Sequence, residues 1–169
     1  TTTPINSSAA SDVYKRQEKR WMYEESFKSP LLMRWPGMIK PGTVIDALVQ
    51  NIDLAPTLLK AAKIEVPVSV HGRALQPILS GKSDPSWRKD ILYQYFDGGT
   101  PEERGPYNMP RHEGVRDQRY KLISFYEFNE WEFYDLQEDP NELNNLIQSP
   151  SMQDQIKRLK QRLTQLKVA

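Results

Sequence analysis

HEGVRDQRYKLISFYEFNEWEFYDL, residues 112–136, sets the fold of the chain. It breaks into the runs HEGVR (112–116), RYKLISFY (119–126) and EWEFYDL (130–136), rich in Tyr, Phe, Ile and Leu and joined by short polar links. With ILYQYF (91–96) ahead of them, these read as neighbouring strands, because aromatic and branched side chains suit a pleated, half-buried surface. Neighbouring strands with short joints predict an antiparallel sheet. Downstream, Met152, Ile156, Leu159, Leu163 and Leu166 recur at steps of four, three, four and three after Ser149-Pro150-Ser151. That spacing predicts an amphipathic helix closing against the sheet. A coiled-coil seam has the same spacing, but about two heptads are too few to sustain one.

Upstream of the sheet the texture differs. Ser29 to Trp35 is a short apolar run closed by Pro36-Gly37 and then Lys40-Pro41-Gly42, which predicts a buried strand over 31–35 and a second over 43–48. Asp53 is placed to N-cap a helix with Pro56 in its first turn, and Leu54, Leu58, Leu59, Ala62 and Ile64 mark its apolar positions. A shorter helix spans Arg73 to Leu79 and stops at Ser80-Gly81, and Gly81-Lys82-Ser83-Asp84-Pro85 reads as a linker. Residues 1–17, TTTPINSSAASDVYKRQ, have neither helical nor strand periodicity and read as a disordered tail.

Composition narrows the function. The 169 residues carry 23 Lys plus Arg against 22 Asp plus Glu, so the net charge is +1 and there is no broad basic field for a nucleic-acid backbone. No apolar run approaches the roughly 20 residues that span a bilayer. The absence of cysteine excludes disulfides, thiolate metal sites and cysteine nucleophiles within these residues. Two histidines, His71 and His112, are too few for a histidine metal site, and no HExxH, EF-hand, P-loop or GxSxG string occurs.

What remains is a set of anion-friendly positions: Lys19 and Arg20, Arg73, and the cluster Arg111-His112-Glu113-Gly114-Val115-Arg116. An ammonium is a compact point charge able to hold a phosphate or sulfate oxygen, yet a lysine taken blind is an ordinary solvated residue. His112, flanked by charges, reads as a surface hydrogen-bonding residue, and Arg116 and Arg119 as partners of nearby carboxylates. Trp21, Trp35, Trp87 and Trp131 read as packing residues before they read as sugar platforms.

Five strings in order change the weight of these residues. KRWMYEESFKSPLLMRWPGMIKPG, VQNIDLAPTLLKAAKI, HGRALQPILSG, RHEGVRDQRYKLI and WEFYDLQEDPNELNNL together resemble the C-terminal part of the type I, formylglycine-dependent sulfatases. The likeness is nearest to bacterial glycan sulfatases whose C-terminal region resembles that of N-sulphoglucosamine sulphohydrolase. It implies an α/β protein, α+β within this stretch. Residues 18–83 would end an alkaline-phosphatase-like catalytic domain, and residues 84–169 would form a small C-terminal domain with an antiparallel sheet packed by the terminal helix. Residues 1–17 are similar to translated library-adapter sequence, which implies that the natural chain continues upstream of about Glu18.

The resemblance also assigns roles. Lys19, Tyr23 and Glu24 match a K-x-x-x-Y-E string whose lysine contacts a sulfate oxygen, with Tyr23 and Glu24 supporting it. Arg111, His112 and Arg116 lie where glycan sulfatases bring small-domain residues to the sugar. Lys28 and Arg73 depart from the residues common at their positions without touching that chemistry.

The family nucleophile is a formylglycine made from Cys or Ser in C/S-x-P-x-R, and calcium is held by acidic and amide residues upstream. Neither that string nor an Asp-His-Gly ahead of Lys19 occurs. The expectation is therefore a sulfated-glycan hydrolase in which this chain is inactive without its upstream part, periplasmic or extracellular by family habit. A phosphonate or phosphate monoester hydrolase of the same superfamily, or a non-catalytic carbohydrate-binding module, are the alternatives.

Overall fold

The structure, a computed structural model, describes residues 20–81, 84–96 and 109–168. Residues 1–17, Lys19 and the centre of the linker at Lys82 and Ser83 lie outside the described residues. The chain divides into two compact units, one of residues 31–90 and one that joins residues up to Pro30 to those from Ile91 onward. Residues 20–30 therefore group with the sheet.

In the sheet-containing unit, β1 (Asp90–Tyr95), β2 (His112–Asp117), β3 (Tyr120–Phe125) and β4 (Glu130–Asp135) lie side by side in that order. β2 with β3 and β3 with β4 are antiparallel, with Val115 opposite Leu122 and Leu122 opposite Phe133. Strand alternation sends these three side chains to one face, where they pack on Ile156, Leu159 and Leu163 of the terminal helix. The helix spans Gln153–Val168, with Met152 and Leu166 packed against the same core, so the expected sheet packing is the one formed. The opposite face of β3 and β4 carries Ile123, Phe125 and Tyr134, and it is covered by Met22 with Trp21 and Tyr23 around it. With both faces covered, five of the six β3 residues are buried, Lys121 and Ser124 among them.

β4 is an outer strand, and its free side is occupied by the segment that follows it. Asn145 accepts from the Phe133 N–H through its side-chain oxygen at 3.0 Å and donates its amide to the Trp131 carbonyl at 3.3 Å. The Leu146 N–H then bonds the Phe133 carbonyl at 2.8 Å.

In the unit of residues 31–90 the two expected strands are not formed. Residues 31–35 and 43–48 run as irregular segments and Leu32 is 95% exposed, because a strand needs a hydrogen-bonded neighbour and none of the described residues supplies one. Their inward side chains Met33, Trp35, Ile45 and Ala47 still pack on Leu75, Ile78, Leu79 and Trp87.

The helix after Asp53 forms over Leu54–Ala61, preceded by a 3-10 turn, but its buried residues are Pro56 and Thr57, while Leu58 and Ile64 are exposed. Asp53 does not cap that helix. Its wholly buried carboxylate accepts the N–H groups of Gln50 and Arg73, both at 2.8 Å, and pairs with both terminal nitrogens of Arg88. Thr57 continues the hub by accepting the Leu75 N–H at 2.9 Å through its hydroxyl. Gly72 completes it, since a Cβ there would sit 1.9 Å from the Ile52 carbonyl oxygen. Asp53→Ala is expected to destabilise the protein by about 3–5 kcal/mol in urea unfolding, because it strands the mostly buried Arg88 guanidinium and two N–H groups.

Candidate functional site

The described residues that follow Lys19 lie against the second face of the sheet, and almost every polar group of this stretch is fastened there. The Tyr93 hydroxyl donates to the Arg20 carbonyl, and an Arg20 terminal nitrogen donates to the Tyr95 hydroxyl at 3.4 Å. Met22 is wholly buried, with its carbonyl accepting from Lys121 Nζ at 2.6 Å. Tyr23 donates to Glu132 Oε2 at 2.8 Å, and the same oxygen accepts from the Tyr134 hydroxyl at 3.1 Å. Burial, then the Glu132 carboxylate beside them, pushes both phenols far above their ordinary range, so both stay protonated donors.

Glu24 opens a short helix, α1 (Glu24–Phe27), and lies among charges. Its Oε1 is 3.0 Å from Arg116 Nε and 2.8 Å from Lys121 Nζ, and Lys121 in turn is 2.8 Å from Glu142 Oε1. Glu142 Oε2 accepts the Glu24 backbone N–H at 2.5 Å. Two cations thus meet two carboxylates, and Lys121, the largest fully buried side chain, sits at the centre. Burial alone would raise the Glu24 pKa, but hydrogen bonds from Arg116 and Lys121 outweigh it and hold the carboxyl below its ordinary value. Gly114 makes room for this arrangement, since a Cβ there would lie 2.4 Å from both Met22 Sδ and the Leu122 carbonyl.

The sugar-facing candidates separate. Arg116 is the Glu24 partner just described and is only 13% exposed. His112 is 0% exposed and is surrounded by the rings of Trp21, Tyr93, Tyr95 and Phe125 at 5.4–5.6 Å. Its Nδ1 lies 2.9 Å from the Pro110 carbonyl, which assigns that nitrogen as the N–H donor, and Nε2 has no partner among the described residues. Burial lowers its pKa and outweighs the Pro110 bond, so the ring is neutral. In this arrangement a ring so enclosed has no surface to offer a sugar. Arg111, whose side chain is 37% exposed, lies beside Glu127, with its backbone N–H donating to that carboxylate at 2.9 Å.

Sequence reasoning missed Lys121 and Glu142. The available signal was a lysine in mid-strand between Tyr120 and Leu122, a place a solvated lysine rarely occupies. A separate groove of about 490 Å³ runs along Trp131, Asn145, Gln148 and Lys160. There the Lys160 ammonium covers the Trp131 ring at 4.3 Å from its centre. Among the described residues no three His, Asp or Glu side chains are grouped to hold a metal. None of the described helices is long and apolar enough to cross a membrane.

Known proteins share this architecture. The structure of BT4656 in complex with its substrate D-glucosamine-2-N,6-O-disulfate superposes with a TM-score of 0.78 at 38% identity, over 87% of this chain and 29% of that one. The phosphonate monoester hydrolase of Silicibacter pomeroyi superposes with a TM-score of 0.72 at 28% identity, over 89% and 31%. The fold class is thus that of the alkaline-phosphatase-like sulfatases and phosphonate hydrolases. Residues 14–169 match the N-sulphoglucosamine sulphohydrolase C-terminal family, and the chain belongs to it. The N-acetylglucosamine-6-O-sulfatase of Bacteroides thetaiotaomicron is 43% identical over 133 residues, 77% of this chain and 23% of that protein. The chain therefore spans about a quarter of the length of such relatives.

The buried groups set a pH dependence. With its pKa lowered in the fold, His112 contributes stability that is present above its unfolded value of about 6.5 and lost as pH falls below it. Glu24 behaves likewise one step lower, present above about pH 4.3 and lost as pH falls through its depressed folded value. Melting temperatures measured from pH 7.5 to 5 should therefore fall less in His112→Phe than in the wild type. Glu24→Gln should leave that window unchanged and flatten the decline below pH 4.5.

Proposed function

We propose that this chain is the C-terminal part of a sulfuric ester hydrolase acting on sulfated amino-sugar glycans. The reading is carried by its 43% identity to an N-acetylglucosamine-6-O-sulfatase across 77% of the chain. The K-x-x-x-Y-E string supports it, because Tyr23 and Glu24 are anchored in the sheet and the residues from Arg20 onward are tied down on the C-terminal side of Lys19.

In this reading Lys19 places its ammonium against a sulfuryl oxygen and stabilises the negative charge that grows there as the ester bond breaks. A charge fixed in advance does this without reorganising water at the moment of reaction. Tyr23 and Glu24 do not touch the sulfate; they fix the backbone that bears the lysine. Of the small-domain trio, Arg111 keeps side-chain surface for an anionic sugar, while His112 and Arg116 act through the segment 20–24. The formylglycine and the calcium ligands belong to the part of the protein upstream of this chain, and the chain alone releases no sulfate.

The phosphonate hydrolase likeness is the second reading, since sulfate and phosphonate esters both present tetrahedral anionic oxygens to a lysine. The test is expression of the whole reading frame that contains this chain, with rates on N-acetylglucosamine 6-sulfate and on phenyl phosphonate esters. Sulfate release is expected to dominate, and Lys19→Ala should lower kcat about a hundredfold, the effect of removing one well-placed electrostatic donor. Faster turnover of the phosphonate, or an unchanged rate in Lys19→Ala, overturns the reading.

A further inference from the structure

We infer that Lys121, held by Glu142, is a positioning residue for the anion-binding segment that begins at Lys19. This rests on the reading of Lys19 as a sulfate contact. A buried lysine is costly unless close partners offset its charge, and here two carboxylates and a carbonyl surround it. Nζ donates to the Met22 carbonyl at 2.6 Å and lies 2.8 Å from Glu24 and 2.8 Å from Glu142. Two of the three partners belong to the segment 22–24 itself. A single ammonium thus grips that segment both by its backbone and by a side chain.

Glu142 shows that the grip is built and not incidental. Its φ is +55°, in the left-handed region that a side chain with a Cβ avoids at a cost of about 1–2 kcal/mol per residue. Held that way, one carboxylate reaches Lys121 with Oε1 and the Glu24 N–H with Oε2. Strain kept at a residue with two such contacts marks a place where geometry is over-determined. The β3 register then relates this seat to the rest of the sheet, since Lys121 is opposite Arg116 on β2 and Tyr134 on β4. Arg116 holds Glu24 from one side, and Tyr134 shares Glu132 with Tyr23 from the other.

The reach to the reacting lysine is short. Consecutive Cα atoms are about 3.8 Å apart, so Lys19 is at most about 11 Å of chain from the fixed Met22 carbonyl, and Arg20 between them is itself tied. A displacement of this seat is passed to the ammonium through three residues. Misplacement of a catalytic group by about 1 Å is enough to cost on the order of a hundredfold in rate.

The test uses the whole enzyme and this chain side by side. In the enzyme, Lys121→Met should lower kcat on the sulfate ester at least tenfold with KM changed less than threefold. The double variant with Lys19→Ala should be no slower than Lys19→Ala alone, because a positioning residue has nothing left to position. Losses that multiply in the double variant, or a kcat within twofold of wild type in Lys121→Met, overturn the inference.

In the 169-residue chain, hydrogen exchange gives a readout independent of turnover and also covers a variant that folds poorly. Glu142→Gln should speed exchange of the Glu24 to Lys28 amides at least tenfold while amides of β3 and β4 stay protected. Unchanged exchange there overturns the inference even if the enzyme proves to act on another ester. A wild-type enzyme without sulfatase activity but with the exchange effect intact would sink only the reading of Lys19.

Discussion

A lysine ammonium removed from water and ringed by a carbonyl and two carboxylates is the constraint on which the sheet-containing unit depends. Stripping a charge of its hydration costs several kcal/mol, which only close, well-directed partners recover. The lysine is on β3 and its partners come from two other stretches, residues 22–24 and the loop at Glu142. The chain can satisfy Lys121 only by bringing all three together. Hydrophobic burial of Met22, Ile123, Phe125 and Tyr134 brings the surfaces together without fixing their register, while the ionic cluster admits one register only.

The sheet itself mediates between two dissimilar faces. One is a conventional apolar contact of Val115, Leu122 and Phe133 with the terminal helix, which supplies the bulk of the burial. The other alternates apolar and polar seats: Met22 and Trp21 among rings, Tyr23 on Glu132, Glu24 on Arg116 and Lys121. The first face makes the unit stable, and the second makes it specific for one peptide.

Much of this was legible in order but not in pairing. The four strands and the closing helix follow from alternation and from steps of three and four, because periodicity records which side of an element is buried. The strands expected at 31–35 and 43–48 failed because apolar content shows that a stretch is buried in part, not that a neighbour will bond its backbone. Asp53 was rightly singled out but wrongly employed. A capping aspartate and an aspartate that collects Gln50, Arg73 and Arg88 look alike in sequence, since the arginines are 20 and 35 residues away. His112 looked exposed from its charged neighbours, yet the β2 register turns it inward toward four rings. Lys121 escaped notice because its partners lie 99 residues upstream at Met22 and in a loop beyond β4.

The side-chain amide of Asn145 imitates a peptide group at the border of β4, with its oxygen and nitrogen taking the places of a backbone acceptor and donor. An outer strand with unmet N–H and C=O groups is a template on which another extended chain can assemble. Here the template is already filled by a counterfeit strand one residue wide, followed by the genuine Leu146 N–H. The Trp131 carbonyl and both backbone groups of Phe133 are therefore no longer open to a further strand. The protection of this edge comes from the Asn145 amide and the Leu146 N–H rather than from charge or proline.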